Sequence, residues 1–146
     1  SVIFNQANAM GYAPTFFGVD GMDGILTLEG FNTELAEGVM LLTPFSASSD
    51  DEATQAFVTA YVDKFGETPN QFAADAYDAV YAVYEAIKVS GVTADMSTAD
   101  ICEALVAAMP TVTLNGLTGT LSWSANGEVS KAPAAYIIEG GKYVVS

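Results

Sequence analysis

Between Thr68 and Gly91 the apolar positions recur with a helical period. Phe72, Ala73, Ala76, Tyr77, Val80, Val83, Tyr84 and Ile87 share one arc, and Asp75, Asp78, Glu85 and Lys88 fall on the other. This pattern predicts an amphipathic helix with a wide buried stripe and a solvated acidic face. Thr68 suits the N-cap, Pro69 the first helical position, and Gly91 the left-handed stop. Lys88 complements the negative end of the helix dipole.

Other runs punctuate the chain on both sides. Residues 1–10 read as the end of a helix that stops at Gly11, and the pattern begins without its own first turn, so the chain is expected to be a piece of something longer. Thr15–Val19 and Val39–Thr43 are short apolar runs that predict buried strands, the second of them parallel. Residues 20–24 form a loop between them, and residues 33–37 a short helix. Ser49 with Glu52 makes a capping box for a helix over residues 51–65, and Ser97 with Asp100 makes another for a helix ending near Met109. From Thr111 the pattern turns to β-type runs, at residues 111–114, 119–123, 134–139 and 142–145. Asn115-Gly116, Asn126-Gly127 and Gly140-Gly141 are the expected turns between them. Together these elements predict an α/β chain with more than one structural neighbourhood.

Composition narrows the chemistry. Four Lys and Arg stand against 18 Asp and Glu in 146 residues, a net charge of −14. Such a surface repels phosphate backbones and anionic headgroups, which argues against nucleic-acid partners. There is no histidine, which removes the usual neutral-pH base and the commonest metal ligand. Cys102 stands alone in an apolar helical pattern and is expected to be a small buried hydrophobe. No metal-ligand spacing and no phosphate-binding glycine loop occurs, so no metal or cofactor is expected. Apolar residues make up 51% of the chain. Still, no apolar run reaches the roughly 18–20 residues that span a bilayer.

Carboxylate pairs are the only reactive-looking material: Asp20/Asp23, Asp50/Asp51 and Asp75/Asp78. The last two pairs have complete structural explanations, at a helix N-terminus and on a polar helix face. Asp20 lies in a loop at the C-terminal end of a strand, where α/β sheets bind ligands. A carboxylate-dependent glycoside hydrolase needs two such groups facing across a cleft.

Four pieces in order resemble the type I periplasmic binding proteins, above all the branched-chain (Leu/Ile/Val) substrate-binding proteins of ABC transporters. They are Asn5-Gln6-Ala7 with Met10-Gly11 and Phe16–Gly21; Ala36–Val39 through Thr43-Pro44; Tyr61–Gly66 with Pro69 and Ala73–Val80; and Gly116–Gly119 with Leu121, Trp123 and Asn126-Gly127. The resemblance implies a two-lobed fold of Rossmann-like lobes, incomplete in this chain, that closes on an amino acid without a chemical step. It implies that residues 1–44 belong to the second lobe, 45–115 to the helical part of the first, and 116–146 to the hinge and terminal strands returning to the second. Asp20 matches the acidic residue that holds the ligand's α-ammonium group, and Phe72 an aromatic position near the ligand side chain. Many relatives carry tryptophan where Met22 stands. An ABC permease partner and an extracytoplasmic location, in the periplasm or lipid-anchored at the cell surface, follow by the same resemblance; a sensor ectodomain of the same fold is the alternative. The surfaces an absent half would cover should be apolar and favour self-association of the fragment.

Overall fold

The computed structural model describes residues 1–132 and 134–146. Its helices are α1 (Val2–Ala9), α2 (Glu52–Phe65), α3 (Gln71–Ser90) and α4 (Thr98–Ala108). Its strands are β1 (Phe17–Gly18), β2 (Met40–Leu42), β3 (Thr113–Gly116), β4 (Gly119–Trp123), β5 (Val129–Ser130), β6 (Ala135–Glu139) and β7 (Lys142–Val145). Contacts divide the chain into two compact units. One comprises Ser1–Gln71 with the C-terminal stretch ending at Ser146, and the other comprises Phe72–Ala132.

The first unit is built on a mixed sheet ordered β1-β2-β6-β7. β2 runs parallel to β1, as its apolar run predicts, but pairs antiparallel with β6 on its other edge, with Leu41 opposite Tyr136. Leu41 and Ile138 are fully buried and pack with Phe4, Ile25, Ala36 and Val39. Burial of each of the larger of these side chains stabilises the fold by roughly 2 kcal/mol. Phe4 of α1 meets Phe16 edge-on, with ring centroids 4.7 Å apart. Gly140 and Gly141, both at positive φ, close the β6–β7 hairpin as expected.

The second unit carries the antiparallel sheet β3-β4-β5. Two expectations change here. Asn115-Gly116 is not the turn: both residues pair within β3, and Leu117-Thr118 make the turn instead. The reason is tertiary, because the Asp78 carboxylate accepts from both turn amides, at 2.8 and 2.9 Å. Cys102 is exposed rather than buried.

The largest correction concerns α3. Its buried positions are Gln71, Ala74, Asp78, Ala82 and Ala86, while Phe72, Tyr77, Val80, Val83, Tyr84 and Ile87 are exposed. The stripe expected inside lies outside, and the face expected in solvent holds a buried Asp78. Alanines allow close approach on that face, and Asp78 is satisfied by the β3–β4 turn. Among the described residues the aromatic side stays exposed.

Helix termini show the same division between local and distant causes. Ser97 caps α4 as expected, accepting from the Asp100 amide at 3.2 Å. For α2 the cap is Asp51 rather than Ser49: its carboxylate accepts from the Thr54 amide at 2.8 Å. That bond and the Thr54 hydroxyl hold the Asp51 carboxyl below the usual range. α3 begins at Gln71 instead of Pro69, because its first amide is met by a carboxylate far away in sequence.

Candidate functional site

The loop after β1 is wound into a short 3-10 turn, Asp20–Met22, by the Met22 amide donating to the Val19 carbonyl at 2.9 Å. Asp20 is exposed. Its Oδ1 accepts from the Gly21 amide at 2.8 Å, which orients the carboxylate, and among the described residues its Oδ2 meets no donor. That leaves one oxygen free for a ligand.

Asp23, three residues on, is spent differently. One oxygen accepts from the Gly24 amide at 2.9 Å and the other from the Gln71 amide, so this carboxylate closes the start of α3. Tyr143 on β7 lies beside it, its hydroxyl oxygen accepting from the Gly24 amide at 3.2 Å. Burial pushes the Tyr143 hydroxyl well above the ordinary tyrosine range, and the Asp23 charge adds to the shift. Burial also raises Tyr136. A group whose folded-state pKa exceeds its unfolded value contributes stability that is complete below about pH 10 and is lost as pH rises beyond it. Alkaline titration followed by tyrosinate absorbance should therefore show Tyr143 ionising last, and Tyr143→Phe should abolish that final phase. Survival of the phase in the variant would contradict this placement.

Gln71 is the residue that local pattern missed. It is 1% exposed. Its Nε2 donates to the Asp20 carbonyl at 3.0 Å, and its Oε1 accepts from the Thr43 hydroxyl at 2.7 Å. The Thr43 oxygen in turn accepts from the Phe45 amide at 3.3 Å. Thr43 and Phe45 are in the segment leaving β2. One carboxamide thus ties that segment to the Asp20 turn. No local signal could have found it, since its partners lie 28 and 51 residues away.

Phe72 follows Gln71 in the chain, is 49% exposed, and belongs to the second unit, whereas Asp20 belongs to the first. Near the turn, a cleft of about 440 Å³ in the first unit is lined by Phe4, Phe17, Met22, Ile25 and Leu28 among others. A Cβ on Gly18 would lie 2.0 Å from the Met22 sulfur, so glycine at that position is what lets Met22 fold back over β1.

Of the remaining paired carboxylates, three have structural partners. Asp75 meets Lys131 at 2.5 Å, Asp78 is buried in its three bonds, and Asp51 caps α2. Among the described residues, no group of three or more His, Cys, Asp or Glu could hold a metal ion, and no helix is long and apolar enough to cross a membrane.

Residues 1–141 match the family described as periplasmic binding protein. None of the curated proteins matches the chain in sequence. Among solved structures, the chain is similar to the branched-chain amino acid transporter substrate-binding protein LivJ of Streptococcus pneumoniae in complex with isoleucine. They share 29% identity and a TM-score of 0.76 over 97% of this chain and 38% of that one. It is similar to a solute-binding protein of an ABC transporter from Rhodopseudomonas palustris BisB5 in complex with 3,4-dihydroxybenzoic acid. Here identity is 26% and the TM-score 0.77, over 96% of this chain and 38% of that one. A solute-binding protein from R. palustris in complex with benzoate shares the fold, with a TM-score of 0.78 at 20% identity, over 97% and 38% of the two chains. The chain thus spans about 38% of the length of these structures.

Proposed function

The chain belongs to the periplasmic binding protein family, and from that premise we propose that it is the C-terminal segment of an extracytoplasmic solute-binding protein serving an ABC permease. The ligand class is an amino acid, branched-chain or similar. Two lobes close around it about a hinge, and the ligand stabilises the closed state through contacts to both. In the whole protein, residues 1–44 and 116–146 contribute to one lobe and 45–115 to the other. The protein would work outside the cytoplasm, in the periplasm or lipid-anchored at the cell surface.

Asp20 carries the choice of ligand. Solved relatives bind isoleucine in one case and aromatic acids in others. An amino acid presents an ammonium group, whereas benzoate-type acids present only negative charge. An exposed, pre-oriented carboxylate with one oxygen open favours the first through a charge-assisted hydrogen bond and repels the second. Phe72 would contact the ligand side chain. Calorimetric titration of leucine, isoleucine, valine and benzoate into the full-length protein tests this. Amino-acid binding with no benzoate binding is expected; the reverse would overturn the reading.

The exposed stripe of α3 supports the proposal that the rest of the protein packs there. Val80 is 68% exposed in this chain. Val80→Asp should change the stability of the isolated chain by no more than about 0.5 kcal/mol. In the full-length protein the same change should cost about 3 kcal/mol, because an unpaired charge would be buried. Urea midpoints of the four proteins decide it, and equal effects in both contexts would show that nothing covers α3. Until covered, the stripe favours association between copies, so sedimentation of the isolated chain should reveal species larger than the monomer.

A further inference from the structure

We propose that Gln71 is a positioning residue for ligand binding, acting through Asp20. This rests on the amino-acid-binding reading above. The Asp20 carboxylate is exposed and held by a single neighbouring amide, so the accuracy of its placement depends on the backbone of the turn. That backbone is gripped at the Asp20 carbonyl by Gln71 Nε2, and the same carbonyl accepts from the Asp23 amide at 2.9 Å. The other end of the carboxamide is fixed by Thr43, so Gln71 cannot rotate without losing a buried bond. Its backbone amide is bound to Asp23, which anchors the opposite side of the same turn. Two bonds from Gln71 therefore hold the turn, and a third ties its carboxamide to Thr43.

A buried glutamine is a costly choice for this position unless both ends of its amide are used. Here both are, and among the described residues no buried side-chain oxygen or nitrogen lacks a partner. An apolar side chain of similar volume would fill the space but release the Asp20 carbonyl. Gln71 touches no ligand in this scheme; its effect is geometric, and a displacement of about 1 Å at a charge-assisted contact is enough to forfeit much of it.

A double-mutant cycle in the full-length protein separates this from a general loss of stability. Gln71→Met should weaken isoleucine binding about tenfold, the loss of one well-placed hydrogen bond. In an Asp20→Asn background the same change should weaken it by less than about twofold, because the group being positioned has gone. Thr43→Val, which frees the far end of the carboxamide, should give a smaller loss, about threefold, that likewise vanishes with Asp20→Asn; this keeps the test decisive should Gln71→Met fail to fold. Equal losses in both backgrounds would mean that Gln71 is merely structural and would overturn the proposal. If the wild-type protein binds isoleucine and Asp20→Asn is silent, the Asp20 assignment fails instead, which is a different result.

Discussion

Asp20→Ala in the full-length protein is expected to lower amino-acid affinity by about a hundredfold or more. Truncating one partner of a desolvated, hydrogen-bonded charge pair costs about 3 kcal/mol, and each 1.4 kcal/mol is tenfold. The carboxylate at position 20 is already oriented by the Gly21 amide, so little ordering accompanies capture of an ammonium group. Asp20→Asn preserves the shape and removes the charge, and should lose most of the same affinity. Neither change should disturb the fold, since Asp20 is exposed and its carbonyl, not its side chain, meets Gln71. Calorimetry with isoleucine alongside a thermal melt distinguishes the two effects. Undiminished binding by Asp20→Ala would remove the central reason for assigning an amino-acid ligand.

Asp78→Ala should destabilise the chain by about 3 kcal/mol, the largest effect expected for a single substitution in the second unit. The carboxylate is 2% exposed and accepts from the Leu117 amide at 2.8 Å, the Thr118 amide at 2.9 Å and the Thr118 hydroxyl at 2.6 Å. Its removal leaves those donors without an acceptor where water enters poorly. Gly116→Ala attacks the same contact from the other side. A Cβ at that position would lie 2.5 Å from the Asp78 carboxyl carbon, so strand or side chain must shift, at a cost of about 2 kcal/mol. The two changes together should cost clearly less than their sum, since the steric conflict disappears with the carboxylate. Urea unfolding of the two single variants and the double variant provides the check, and strict additivity would show that the sites do not communicate.

Asp78 also shows where reading along the chain ends. Its spacing placed it on the polar face of α3, and that much is right; which face is buried is not a property of the helix. Tyr77, Val80 and Tyr84 form a stripe whose period announces a helix, and the helix is there. Among the described residues the stripe stays exposed, and the alanine and Asp78 face is the one that packs. Asn115-Gly116 failed as a turn for a related reason: a distant carboxylate offers the next two amides a better set of bonds than the local dipeptide does. The strand-end loop that carries Asp20 was legible because it is a local feature, whereas the bonds of Gln71 were not, because everything it binds lies on other segments.

What the residues determine by themselves is local: the helices and their glycine stops, the β6–β7 hairpin through Gly140-Gly141, the Ser97 cap, and the turn that presents Asp20. These depend on backbone sterics and on bonds spanning a few residues, which short stretches of chain specify alone. Tertiary structure decided the face of α3 that is buried, the start of that helix at the Asp23 carboxylate, and the bonds that Gln71 makes. Those outcomes turn on charges and donors brought together from remote parts of the chain, and their energies exist only once the segments meet.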